Sequence, residues 1–319
     1  MKGELIYMSK VKSKSALDKL NKVLSILVII ALIATIGIVA FFNGAPAPTA
    51  ADASGDSAAG GSTVIEAFKA DTYGGVEMKT EEDALNYYIA AYDKTKAKTA
   101  EYINEDGQKE VWYDFLGTED IKINSVLIEG KSNGMIDSLV PTIVGSLFQP
   151  NCYGLPPCAN RNPKDDIDEE QKSMQTNRLK IDDIQAINVK DNGDGTITMI
   201  IQPKEVNMSH KGLDSQGKFF NTLGAIDSTV DQIDILTWEQ GTTAENCKVY
   251  YKNGTGTVKI DTKSGEIVEA DYNMSVTVEV QHATIKVIKD KSAVVDISYD
   301  QHFPATDEYL MEKKGAKRA

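Results

Sequence analysis

The pattern of apolar and polar positions changes period along the chain. In "VEADYNMSVTVEVQ", residues 268–281, every even position is apolar or small: Val268, Ala270, Tyr272, Met274, Val276, Val278 and Val280. Every odd position is polar. Successive side chains of a strand point to opposite faces, so this stretch predicts one long strand with a dry face and a wet face. Shorter runs repeat the alternation: Ile197, Met199, Ile201; Val258, Ile260; Ala283, Ile285, Val287; and Ala293, Val295, Ile297, Tyr299. Turn-forming clusters separate them, "DNGDGT" (191–196), "KNGTG" (252–256), "DTKSGE" (261–266) and "KDKS" (289–292). Upstream, "EVWYDF" (110–115) and "IKINSVLIE" (121–129) read as two more strands.

Elsewhere the period is helical. Thr80 and Asp83 form a capping box that opens "TEEDALNYYIAAYDKTKAKTAEY", with Leu85, Tyr88, Ile89 and Tyr92 on one face. A second helix is expected over 135–148, carrying Ile136, Leu139, Val140, Ile143, Val144 and Leu147. A third is expected over 217–236, with Phe219, Leu223, Ile226, Val230 and Ile233 in register. The fold class expected for residues 64–319 is therefore α+β, a large curved antiparallel sheet with helices packed on its concave face. Such an arrangement holds either a complete core or a core with room for an apolar guest. Tyr88, Ile89, Tyr92, Tyr272, Met274, Val276 and Val278 sit where sheet and helices meet, so they are the expected lining of any such pocket.

The N-terminal region follows neither pattern. "VLSILVIIALIATIGIVAFF", residues 23–42, carries no charge and at helical rise spans about 30 Å, the thickness of a bilayer's hydrocarbon core. A signal peptide has a shorter apolar core, and its cleavage site here would be "ADA" at 51–53. The length of the run favours an uncleaved anchor. Lysines crowd the segment before it, which puts residues 1–22 in the cytoplasm by the positive-inside rule. The expectation is a single-pass cell-membrane protein with residues 43–319 outside. Residues 43–63, "NGAPAPTAADASGDSAAGGST", are a tether of Ala, Gly, Ser and Pro that cannot bury enough surface to order itself.

Charge narrows the partners. The net charge is −13, and residues 1–22 contribute +4 to it, so everything beyond carries −17. A domain of that sign repels nucleic acid and anionic head groups, which removes nucleic acid from the list of partners. The expected partners are the membrane, an apolar small molecule or lipid, and a protein of the cell envelope. Catalytic motifs are lacking. The histidines His210, His282 and His302 form no close pair, and no nucleophile elbow or phosphate loop is present. "DNGDGT" fails as a calcium loop because the phasing puts Lys190 and Ile201 where acids are needed. The acidic run "KDDIDEEQ", 164–171, reads as a solvated loop. No catalytic residue, metal ligand or cofactor is assigned.

The helix with "ALNYYIAAYDKTKAK", followed by hairpins such as "GTVKIDTKSGEIVEADYNMSVTVEV", resembles uncharacterised membrane-anchored surface proteins of Gram-positive bacteria. In style it is also similar to the half-barrel, Lol-type lipid-binding lipoproteins of bacterial envelopes. The likeness covers most of 64–303 and rests on pattern. The chain departs from those carriers in having no cysteine just after its apolar run. The resemblance implies a domain that holds a lipid or another apolar ligand. The functional expectation is a membrane-anchored extracellular binding domain. The alternatives are a cell-envelope enzyme with an acidic site that no linear motif reveals, and a structural surface protein without a ligand.

The three cysteines divide in the same way. Cys152 and Cys158 flank "YGLPP" on the side of the membrane where thiols are not kept reduced. Their spacing is wrong for a CxxC redox pair and too poor in further ligands for zinc, so a local Cys152–Cys158 disulfide is expected. Cys247 shares a strand face with Val249 and Tyr251 and is expected to be buried.

Overall fold

The long alternation becomes the spine of the molecule. The computed structural model describes residues 62–132, 154–157, 176–222, 230–231, 236–285 and 288–319. In chain order these residues form β1 (Asp71–Tyr73), β2 (Val76–Met78), α1 (Glu81–Lys96), β3 (Thr99–Asn104), β4 (Lys109–Tyr113) and β5 (Thr118–Ile128). There follow β6 (Ile184–Asp191), β7 (Thr196–Pro203), β8 (Val206–Asn207), β9 (Leu236–Trp238), α2 (Thr243–Asn246), β10 (Cys247–Tyr251) and β11 (Thr255–Asp261). The chain then runs through β12 (Glu266–Ile285), β13 (Ile288–Phe303), α3 (Asp307–Lys314) and β14 (Ala316–Arg318). The architecture is mainly a large antiparallel sheet with few helices, an α+β arrangement.

Nine strands join in that sheet, ordered β5-β13-β12-β11-β7-β6, with β10 and β9 pairing β12 beyond the point where β11 ends. Its buried face is read directly from the register. Tyr272 pairs Gly256 on one side and Gln301 on the other; Val278 pairs Val249 and Val295. On the solvent face the same strands carry Thr277, Asp296 and Ser125, joined by hydrogen bonds of 2.8 and 2.6 Å to the Asp296 carboxylate. His302 meets Asp271 there at 2.8 Å. Both His282 and His302 are partly exposed, as expected of residues on the wet face.

Two bulges correct the simple parity. Val268, expected on the dry face, is 42% exposed, and Ile267 takes its place in the core. Lys259 pairs Glu269 while Ile260 pairs Ile267, so Val268 is an extra residue that shifts all positions before it to the other face. The second shift lies between Val280 and Ala283, where His282 has φ of 51°. This insertion converts even-inward to odd-inward positions, so what reads as two strands, 268–281 and 283–287, is one strand through Ile285. "KDKS" is also not a turn: β13 begins at Ile288 and these residues lie within it.

The helix at Thr80 forms with the expected capping box, Thr80 Oγ1 accepting from the Asp83 amide at 3.1 Å. It ends at Lys96 rather than running to Tyr102, because Thr99–Asn104 pairs with β4 and β14 in a separate three-stranded sheet. That sheet and α3 surround a small core of Tyr102, Trp112, Leu116, Ala305, Leu310 and Ala316. Residues 217–219, expected to open a helix, form a turn instead, followed by a bend at Phe220 and irregular backbone at 221–222. Of the rest of that expected helix, Val230 is helical, Asp231 lies in a turn and Leu236 opens β9; residues 223–229 and 232–235 lie outside the described residues, as do residues 23–42, the expected helix 135–148, Cys152 and Cys158. Among the described residues no helix is long and apolar enough to cross a membrane.

Candidate functional site

The residues expected to line a pocket are drawn together in part, and where they meet they fill the space themselves. Tyr88 and Tyr92 project from α1 and Tyr272 from β12, all buried. The Tyr88 and Tyr272 hydroxyls lie 3.0 Å apart, so the two buried phenols hydrogen-bond to each other. Phe219 completes the cluster, its ring 6.1 Å from that of Tyr88 and 5.2 Å from that of Tyr272, centroid to centroid. Gly256 makes this fit possible, since a Cβ there would stand 2.5 Å from the Phe219 ring. Burial and the neighbouring phenols push the Tyr88 hydroxyl well above its ordinary range, so it stays neutral. Met274 follows on the same buried face. Val276 and Val278 lie farther along, opposite Tyr251 and Val249, and Ile89 sits half-buried at the edge of the core. Cys247 is buried on the same face, as expected.

Beside this cluster lies a buried acid. Glu119 of β5 aligns with Gln301 of β13, which aligns with Tyr272 of β12, all on the buried face. Three donors converge on its Oε1: the Tyr299 hydroxyl at 2.5 Å, Gln301 Nε2 at 2.7 Å and Asn221 Nδ2 at a weak 3.4 Å. Loss of water pushes the carboxyl up to about 7, although these donors and the nearby Lys211 charge favour ionisation. Desolvation outweighs them. Gln301 Oε1 is buried without a hydrogen-bond partner in the structure. Sequence reasoning passed over Glu119, yet the signal was present. It stands two residues before Ile121 at inward parity, and Gln301 stands two after Tyr299.

A buried lysine holds the proline-rich loop. Lys96 Nζ donates to the Tyr92 hydroxyl at 2.6 Å and to the carbonyls of Leu155 and Pro157 at 2.8 and 2.7 Å. Its ammonium also lies 4.9 Å from the centre of the Phe115 ring. Three acceptors and an aromatic face offset the cost of taking the charge out of water. Gly154 packs so closely that a Cβ would overlap the Phe115 carbonyl oxygen. Residues 154–157, between the two cysteines, are thus anchored to the core by their backbone.

An opening is found elsewhere, at the far end of β12. A cleft of about 550 Å³ is lined by Val230, Asp231, Leu236, Thr237, Trp238, Thr242, Thr243 and Ala244. The alignment of Trp238 with Ala283 joins this wall to the sheet. The indole N–H donates to Thr243 Oγ1 at 2.8 Å, and the Thr243 hydroxyl donates in turn to the Asp231 carboxylate. The relay fixes the ring and the acid relative to each other. No family model, curated protein or solved structure matches this chain. Function must then be argued from the sites themselves. Among the described residues no group of three or more His, Cys, Asp and Glu side chains is placed to hold a metal ion. Glu119 has the proton affinity of a general acid or base, but the groups touching it are hydrogen-bond donors with no second carboxylate among them. The cleft has a rigid aromatic wall beside polar groups, the mixed character of a ligand site.

Proposed function

We propose that this chain is a membrane-anchored extracellular binding domain, with residues 1–22 in the cytoplasm, 23–42 as a single-pass anchor, and 43–63 as the tether. In this reading the folded part binds a small amphipathic ligand in the Trp238 cleft, and catalyses nothing. The observation that carries it is the open cleft beside Trp238, set against the closed aromatic cluster at Tyr88 and Tyr272. The mixture of Val230, Leu236 and Trp238 with Asp231 and threonine hydroxyls suits a ligand with both apolar and polar parts better than a bare acyl chain. The lipid-carrier style of the hairpins supports the same class of function, with the ligand at the end of the long strands rather than beneath their middle.

The test heats the full chain, purified in a non-ionic detergent, with and without a small-molecule extract of its host cells. A bound ligand at a hundredfold excess over its Kd raises the midpoint by about 5 °C. In Ala244→Trp, which fills the cleft, the rise should vanish. An equal rise in both proteins puts the ligand elsewhere and overturns the reading, and so does the absence of a rise in the natural chain. The anchor is checked separately by washing membranes at alkaline pH. The full chain should stay in the pellet and a chain lacking 23–42 should not; release of the full chain refutes the anchor.

A further inference from the structure

The cleft's hydrogen-bonding groups point to the charge of what it holds. The proton of the Trp238 indole is committed to Thr243, and that of Thr243 to Asp231. Thr242 donates its hydroxyl proton to Glu245 at 3.0 Å, and Thr237 turns its own toward the Thr284 carbonyl at 3.4 Å. With these protons turned inward, the described side chains of the wall offer a ligand acceptors: the exposed Asp231 carboxylate and the remaining lone pairs of the threonines. The aromatic wall adds the negative face of an indole, the strongest of the side-chain π-systems for a cation. Glu239 and Glu245 stand at the margin as exposed acids, joined there to Thr284 and Thr242. Among the described residues Lys248 opposes them, donating to the Ala244 carbonyl and leaving the acids in excess. The field of the remaining chain, at −17 beyond residue 22, has the same sign.

We infer that the Trp238 cleft selects an organic cation, a quaternary ammonium or protonated amine carried on a small apolar body. The inference rests on the reading of this cleft as a ligand site. An anion would meet the Asp231 carboxylate, and the described side chains around it turn their protons away. A neutral hydrocarbon would leave the carboxylate without use. A cation finds the indole and the carboxylate held in fixed relation by Thr243, so little is lost in ordering them.

The experiment follows Trp238 fluorescence of the full chain during titration with choline and, separately, with 3,3-dimethylbutan-1-ol, its uncharged isostere. Trp238→Phe identifies the part of the signal that arises in the cleft. Choline should bind about tenfold more tightly than the alcohol at low salt, and the advantage should shrink as salt is raised. Asp231→Asn, which retains an oxygen for Thr243, should remove most of that advantage while the thermal midpoint without ligand stays unchanged. Equal affinity for the two compounds overturns the inference and leaves the cleft as a ligand site. Silence toward both also overturns it, and the thermal shift of Ala244→Trp with host extract then decides independently whether the cleft binds anything.

Discussion

Two aromatic residues occupy equivalent inward positions along one ladder and meet opposite surroundings. Tyr272 of β12 lies against Tyr88, Phe219 and Phe220, and the rings close around one another. Trp238 of β9 pairs with Ala283 of the same long strand, and its other neighbours include Thr243, Thr242 and Ala244. Large rings opposite large rings leave no room. A large ring opposite alanine and short threonines leaves a cleft. Inward parity decides which way a side chain points, but the size of residues brought in from other segments decides whether space remains. Phe219 and Phe220 come from a turn segment where helical spacing predicts the start of a helix, and they close the first region.

The comparison is most severely tested by removing each ring. Tyr272→Ala should cost about 4 kcal/mol in urea unfolding, since it opens a cavity among buried rings and orphans the Tyr88 hydroxyl. Trp238→Ala should cost less, about 2 kcal/mol, because the ring already borders an opening. It should abolish ligand binding. Similar stability losses at the two sites would show that the cleft is as tightly packed as the core.

The closed region also carries a pH signature. Glu119 holds its proton in the fold up to about pH 7, while the unfolded chain releases it near 4.5. Below pH 4.5 both states are protonated. Between 4.5 and 7 only the unfolded chain gains by ionising, so this residue's share of stability falls by about 3 kcal/mol and is level above 7. Glu119→Gln, which keeps an acceptor for Tyr299, should remove that decline from denaturation curves measured across the range. An unchanged slope would mean that the carboxyl is hydrated like an exposed one. The smallest effect is expected from Tyr88→Phe, about 1 kcal/mol, for one hydroxyl pair lost in a region that otherwise stays packed. A gain in stability would show that the two hydroxyls are poorly satisfied there.

Much of the large sheet was legible because a half-buried strand must alternate. The hairpin at "DNGDGT" and the even positions 270–280 follow that rule, and all six of those side chains are buried. The capping box at Thr80 was legible because it is a local contact. Val268 was misread because a bulge inserts a residue without leaving a mark in composition. "KDKS" was misread because a charged stretch on a strand's wet face looks like a turn when its partner is unknown. The candidate site was the least legible part. Trp238, Asp231 and Thr243 converge through β9, α2 and the segment before them, and no spacing rule links them. Glu119 and Gln301 were visible as polar residues at inward parity, but their meeting with Asn221 was not.

The sequence by itself determined the faces of the strands away from their bulges, the start of the first helix, the burial of Cys247 and the excess of negative charge. These depend on neighbours within a few residues or on simple sums. Only the tertiary structure decided that Tyr88, Tyr272 and Phe219 pack against one another and that a cleft opens beside Trp238. It also decided that a lysine binds the carbonyls of the proline-rich loop and that one carboxyl is kept from water. Each of those outcomes depends on side chains distant in sequence competing for the same space and the same hydrogen bonds. Alternation along one strand carries no record of that competition.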